Sequence, residues 1–278
     1  MLLFQEINKL FEDIIYIMNT HKYYTSMIST DGFGAQYQRI METYIFCNMN
    51  NLEFVYNPLD QVEHNYENDY EYNNKLENLM NLKNNIKNIE NTKNVEYLDY
   101  VSLVRIGFER NMDEYCNSKH MQFIKQCFWE NKTKNFFNND KINIAVHIRR
   151  ENIADNGKAE ERVTTTNNYY LDVMNGIRQK YQNRNLLFHI YSQGNIGQFQ
   201  ELVAKDVSFH LNEDIIQTFM GMVSANILII SPSSFSYSAA LISDGEIYYK
   251  PFWHKPRSNW YRYIQRNPIY KPSLKFMM

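Results

Sequence analysis

From residue 141 onward, short apolar segments that suit strands alternate with longer segments of helical periodicity. The strand-like segments are INIAVHI (142–148), LLFHIYS (186–192), NILIISP (226–232) and EIYYK (246–250), and the helix-like segments span 166–181, 196–205, 214–226 and 233–243. This alternation predicts parallel βαβ units and a doubly wound sheet. Such sheets bind ligands outside the carboxyl ends of their strands, so functional side chains are expected there.

The N-terminal part of the chain carries a similar pattern. A strand is predicted at 23–30, a turn at 31–36, a helix at 37–51 and a second strand at 52–58. The turn, DGFGAQ, contains Gly32 and Gly34, two of the nine glycines in the chain. Glycines in such a turn let the backbone approach a ligand at a helix N-terminus. A tight strand-to-helix turn explains them almost as well, because the GxGxxG pattern is incomplete.

Charge and hydropathy limit the classes of partner. A formal net charge of -2 gives no bulk attraction to nucleic acid or to an anionic membrane. Charges interrupt the apolar residues 1–19 at helical spacing, so this stretch predicts an amphipathic helix, and no other stretch is long and apolar enough to cross a membrane. Cys47, Cys116 and Cys127 have neither disulfide-framework nor zinc-site spacing, which predicts a reducing, intracellular and cytoplasmic setting.

Positive charge directly follows one predicted strand. His147 lies in segment 142–148, and Arg149 and Arg150 come immediately after it. Arginines at a strand end of a doubly wound sheet suit an anionic ligand. Arginines also pair with carboxylates or cap helices, and this stretch alone favours neither role.

Three motifs, in order along the chain, resemble those of the superfamily of α-1,2- and α-1,6-fucosyltransferases and protein O-fucosyltransferases. They are DGFGAQ, HIRREN and SPSSFSYSAALIS. The resemblance implies an α/β fold of GT-B type, in which two Rossmann-like domains with parallel sheets face a cleft. Residues 1–140 would form the acceptor-side domain, and residues 141–278 the domain that binds the nucleotide-sugar donor. The implied reaction is inverting transfer of fucose from GDP-fucose to a hydroxyl of a glycan acceptor, with no metal or other cofactor.

The resemblance also implies roles for the residues after the predicted strands. Arg149 would contact the β-phosphate, with Arg150 beside it, and His147 would lie near the guanine. Two unit charges ~4 Å apart at an effective dielectric constant of ~20 interact by about 4 kcal/mol, so one arginine could replace much of a metal ion's effect on a departing diphosphate.

The other two motifs supply the remaining expected donor contacts. The resemblance places Ser233, Ser234 and Phe235 near the phosphates, although serine is also an ordinary N-cap residue. Gly32, Gly34 and Gln36 belong to the turn whose counterpart in the family lines the cleft.

The chain departs from the family pattern at the base and around the guanine. Glu160 and Glu161 are the candidates for the general base, but a charged loop such as ADNGKAEERV is often only a solvated surface. Thr218 stands where part of the family has an acidic residue that contacts guanine, and Asp214, one helical turn earlier, could substitute for it. A binding module without catalysis and a GT-B transferase with another donor therefore remain alternatives.

The C-terminal residues 250–278 contain seven Lys or Arg, several aromatic residues and no acidic residue. This composition suits an arm packed over the cleft, and it also suits a tail that binds a polyanion.

Overall fold

A computed structural model of the protein describes residues 23–27, 29–150, 165–264 and 267–270, which form a mixed α/β fold. The strands are β1 Tyr23–Ser26, β2 Val95–Leu98, β3 Ile142–Ile148, β4 Leu186–Ser192, β5 Val207–Leu211, β6 Ile227–Ile229, β7 Glu246–Tyr249, β8 Tyr261–Ile264 and β9 Asn267–Tyr270. The α-helices are α1 Phe33–Met49, α2 Tyr72–Met80, α3 Arg105–Arg110, α4 Met112–Asn117, α5 Lys119–Trp129, α6 Asn167–Lys180, α7 Ile215–Ser224 and α8 Ser234–Ile242.

The larger sheet has seven strands in the order β5-β4-β3-β6-β7-β8-β9. All neighbouring pairs are parallel except β8 and β9, which are antiparallel. Read from β5 to β8, this is the 3-2-1-4-5-6 order of a doubly wound sheet. The prediction of a parallel α/β sheet is confirmed. Strands β5, β8 and β9 were not predicted, and the last two show that part of the C-terminal arm extends the sheet.

The central strand β3 is buried on both faces, as its near-continuous apolar sequence requires. Ile144, Val146 and Ile148 face the apolar cluster that includes residues of α6, whereas Ala145 belongs to the cluster on the opposite face. Side chains alternate between the faces of a strand, so His147 points to the same face as Ala145.

Three segments differ from their predicted structure. The predicted turn at 31–36 is helical from Phe33 onward, because α1 begins four residues before the predicted helix. The predicted helix at 196–205 is replaced by short 3-10 turns over Ile196–Leu202, because the backbone of Phe199 is not helical. The predicted strand at 52–58 forms only isolated bridges, from Phe54 to Tyr24 and from Tyr56 to Asn88. The partner of β1 over its whole length is instead β2.

Helix α1 packs against α8, and this contact joins the two predicted domains. Tyr37 and Met41 of α1 share an apolar cluster with Tyr237 and Leu241 of α8. Each half therefore buries part of its apolar surface against the other, and the division at residue 140 remains a prediction.

The predicted helix at 1–19 lies outside the described residues. Within the described part of the chain, no helix has both the length and the hydropathy needed to cross a membrane.

Candidate functional site

The order of strands places the point where the sheet reverses its connections between β3 and β6, and a crevice is expected there. The chain leaves β3 towards β4 and leaves β6 towards β7, so successive connections run in opposite directions across the sheet. The loops after β3 and β6 consequently diverge, and the gap between them is where open α/β sheets bind ligands. His147 and Arg149 lie at the end of β3, and Ser231 to Ser234 lie at the end of β6.

His147 is a buried, neutral part of this crevice. Its side chain is 6% exposed, and its Nδ1 lies 2.8 Å from the Ser231 hydroxyl. Burial, followed by the nearby charge of Arg149, lowers the pKa of His147 to about 3. A histidine with this pKa offers hydrogen bonds without positive charge at neutral pH.

Arg149 is half-buried just beyond the end of β3. Because side chains alternate along an extended chain, Arg149 is expected on the same side as His147, and its charge contributes to the lowered pKa of that histidine. One of its nitrogens, Nη1, donates to the carbonyl of Arg150 at 3.2 Å. This arrangement brings a guanidinium to the crevice and supports its neighbouring turn.

Arg150 points to the opposite side and holds the start of α6. Its Nη1 donates to the carbonyls of Arg149 at 3.0 Å and Thr165 at 3.2 Å, and its Nη2 donates to Asn167 Oδ1 at 2.7 Å. The guanidinium also lies 5.7 Å from the centre of the Phe199 ring. These contacts indicate a bracing role, and the catalytic role predicted for Arg150 remains a prediction.

The two predicted serines begin helix α8. Ser233 is the N-cap, and its hydroxyl accepts a hydrogen bond from Phe235 N at 3.3 Å. The hydroxyl of Ser234 lies 3.4 Å from His254 Nε2. Unpaired N–H groups and the helix dipole make such a terminus favourable for an anion. Phe235 contributes its ring, which meets His147 edge-on with the ring centres 5.6 Å apart.

The glycine turn brings the start of α1 against the start of α8. A Cβ atom built on Gly34 would lie 2.2 Å from Phe235 Cα and 2.5 Å from Phe235 N. Gly34 is therefore required by the close approach of two backbones, which is neither a ligand contact nor the tight turn considered from the sequence. Gly32 is the N-cap of α1, and its added Cβ would meet only the side chain of His64.

Gln36 is buried and ties the glycine turn to a second loop. Its Nε2 donates to the carbonyls of Asp31 at 2.6 Å and Gln61 at 2.7 Å. These bonds use both amide hydrogens, so the side chain holds the segments around Asp31 and Gln61 together at the start of α1.

The predicted guanine-side residues lie on α7, which follows the edge strand β5. Asp214 is the N-cap of this helix and accepts from Ile216 N at 2.9 Å and Gln217 N at 3.2 Å. Thr218 is half-buried in the first turn. The candidate bases, Glu160 and Glu161, lie outside the described residues.

A buried polar network behind α8 was not predicted from the sequence. Glu42 Oε1 accepts from Gln38 Nε2 at 2.8 Å, and Glu42 Oε2 lies 2.9 Å from the hydroxyl oxygen of Tyr100. Gln38 Nε2 also lies 3.2 Å from His254 Nδ1. The available signal was the spacing of Gln38 and Glu42, two polar residues four positions apart and therefore on one face of helix α1.

We expect Glu42→Gln to flatten the dependence of protein stability on pH. Burial, partly offset by the bonds from Gln38 and Tyr100, raises the pKa of Glu42 from 4.5 to about 8. Between these values the folded protein holds a proton that the unfolded chain has released, so the free energy of unfolding falls as pH rises. Between pH 5 and pH 7, the free energy of unfolding should fall by about 2 kcal/mol less in the variant than in the parent.

Urea unfolding at several pH values measures this effect. Glu53→Gln, at an exposed position, is the matched control and should follow the parent. Parallel curves for the parent and Glu42→Gln would show that Glu42 is ionised in the folded protein at neutral pH.

Comparison with known proteins adds one structural likeness. No protein-family model matches the chain, and no curated protein matches its sequence significantly. Among solved structures, the chain is similar to the crystal structure of POFUT1, a fucosyltransferase, in complex with GDP. The two sequences are 10% identical, the match covers 81% of this chain and 95% of that chain, and the TM-score is 0.43. At this level of likeness, function has to be argued from the residues of the crevice.

Proposed function

We propose that the protein is an inverting glycosyltransferase that transfers fucose from GDP-fucose to a hydroxyl of a glycan acceptor. The observation that carries the proposal is the meeting of Arg149, neutral His147 and the N-terminus of α8 at the reversal point of the sheet. One full positive charge, a helix dipole and several hydrogen-bond donors suit a nucleoside diphosphate. The three sequence motifs, which resemble those of fucosyltransferases in kind and order, support GDP-fucose as the donor.

In the proposed reaction, the acceptor oxygen attacks the anomeric carbon of fucose from the face opposite the diphosphate. The bond from this carbon to the phosphate oxygen breaks, and GDP departs with the bonding electrons. Arg149 stabilises the charge that develops on the β-phosphate, and the start of α8 supplies further donors. A carboxylate takes the acceptor's proton, and Glu160 and Glu161 are the proposed candidates for this role.

The proposal includes a GT-B arrangement, with residues 1–140 on the acceptor side and residues 141–278 on the donor side. The large parallel sheet supports the donor side of this assignment. Donor chemistry without a metal is also proposed, with Arg149 in the position that a metal-dependent enzyme would fill with a cation.

We expect GDP and GDP-fucose to raise the melting temperature, because they would bind only the folded protein. Ligand at 100 times its dissociation constant stabilises by about 2.7 kcal/mol, or roughly 5 °C for a chain of this size. A thermal-shift series with GDP, GDP-fucose, UDP and UDP-sugars, with and without EDTA, measures the preference. Stabilisation by uridine nucleotides alone would reject the fucosyl donor, and a shift abolished by EDTA would reject the metal-free site.

Donor hydrolysis separates an enzyme from a binding module. The proposed transferase should release GDP slowly from GDP-fucose in water, whereas a module without catalysis would show the melting shift and release none.

A further inference from the structure

His254 connects the candidate site to the buried network behind α8. The residue lies in the loop after β7 and is 5% exposed. Its ring stacks on Tyr237 of α8, with the ring centres 4.8 Å apart, and its backbone carbonyl accepts a hydrogen bond from the hydroxyl of Tyr249. These contacts fix the direction in which its two ring nitrogens point.

The ring nitrogens face different chemical groups. Nε2 lies 3.4 Å from the hydroxyl oxygen of Ser234, and Nδ1 lies 3.2 Å from Gln38 Nε2. The amide nitrogen of Gln38 also donates to Glu42 Oε1 at 2.8 Å. An amide nitrogen carries two hydrogens and cannot accept, so Gln38 can satisfy both neighbours only as a donor.

This donor requirement determines the tautomer of His254. Because Nδ1 accepts from Gln38, the neutral ring must carry its hydrogen on Nε2. Nε2–H then donates to Ser234 Oγ. Since that hydroxyl oxygen receives a hydrogen bond from behind, its own hydrogen is directed away from His254.

We infer that Gln38 and His254 are positioning residues that make Ser234 a hydrogen-bond donor toward an oxyanion at the start of α8. The inference deepens the proposed function, because an oxyanion at this place is the diphosphate of the nucleotide sugar. A hydroxyl that pointed its lone pair at a phosphate would repel it, whereas a donating hydroxyl stabilises the charge. The hydrogen bonds that run from Glu42 in α1 through Gln38 and His254 thus determine that the Ser234 hydroxyl donates into the site.

A competing arrangement is a doubly protonated His254 paired with Glu109. Glu109 Oε1 lies 3.5 Å from His254 Nδ1 and is buried without a hydrogen-bond partner within the described structure. Gln38 is closer to the same nitrogen, at 3.2 Å, and its position already accounts for both amide hydrogens. The geometry therefore favours the neutral ring over the ion pair with Glu109.

The inference is tested first on the unliganded protein by nitrogen-15 NMR of labelled histidine. We expect His254 to carry hydrogen on Nε2 alone at pH 7.5, and we expect Gln38→Leu to abolish this preference. A ring with hydrogen on Nδ1 alone, or on both nitrogens, would overturn the proposed chain of hydrogen bonds from Gln38 through His254 to Ser234, whether or not a ligand binds.

The second measurement is the dissociation constant for GDP. His254→Phe keeps an aromatic ring against Tyr237 and removes both nitrogens, so it should weaken GDP binding about tenfold, as expected for one hydrogen bond to a charged group. His254→Gln can again present an N–H to Ser234 and should recover part of this loss. Equal affinity of His254→Phe and the parent for GDP would reject the positioning role.

The controls separate this inference from the proposed function. His120→Gln, a change on α5, should leave both the tautomer of His254 and GDP affinity unchanged. Melting temperatures report any loss of folding in the variants. If the parent binds no GDP at all, the proposed function fails. The NMR result alone then accepts or rejects the chain of hydrogen bonds from Gln38 through His254 to Ser234.

Discussion

Arg149→Ala should reduce the single-turnover release of GDP from GDP-fucose by about 10²–10³, equivalent to about 2.7–4 kcal/mol of transition-state stabilisation. The half-buried guanidinium is the full positive charge that we propose acts on the departing diphosphate. Arg149→Lys keeps a charge but loses the planar, two-pronged geometry, so its rate should also fall while the fold is retained.

The control for this experiment is Arg184→Ala, at an exposed position after α6, which should turn over at the parental rate. Rates are compared per folded molecule, with melting temperatures measured on the same preparations. A folded and fully active Arg149→Ala would end the catalytic assignment. A fall in melting temperature with an unchanged rate would assign Arg149 a purely structural role.

Gly34→Ala should lower the free energy of unfolding by about 3 kcal/mol, the upper part of the usual range for overpacking a buried site. The new Cβ would lie 2.2 Å from Phe235 Cα, and a backbone atom of a second helix cannot rotate away. The gain of about 1 kcal/mol in helix propensity from Gly to Ala is too small to offset this clash.

Gly32→Ala is the matched change two residues earlier. Its Cβ would meet the exposed side chain of His64, which can move, so the cost should be no more than about 1 kcal/mol, from the poorer N-cap. Denaturant unfolding of both variants provides the comparison. Equal stability of the two variants would show that α1 and α8 can separate at little cost.

The strongest sequence patterns predicted the sheet well. The segments 142–148 and 186–192 match β3 and β4 residue for residue, because a continuous apolar run buried in a parallel sheet has few other solutions. Strand β5 was missed although its sequence, VSFHL, alternates between apolar and polar residues, a pattern that is typical of a half-buried strand. The predicted strand at 52–58 bridges β1 in parallel only at Phe54, and the longer pairing of β1 with β2 was not predicted, because strand pairing depends on tertiary position, which local periodicity does not encode.

The candidate site was predictable where it depends on strand ends. His147, Arg149 and Ser233 follow from the rule that doubly wound sheets present their carboxyl ends to ligands. The contact between Gln38 and His254 joins residues 216 positions apart, and no pattern within either segment indicates the other. The sequence likewise did not predict that Arg149 and Arg150 have different hydrogen-bond partners.

The contact between Gly34 and Phe235 also has a mechanical consequence. At this point the two helices touch through main-chain atoms, with no side chain between them. A shift of the start of α1 towards α8 would therefore press directly on the main chain of Ser234 and Phe235. Any widening of the site is therefore expected from the side chains and loops around this contact and not from the contact itself.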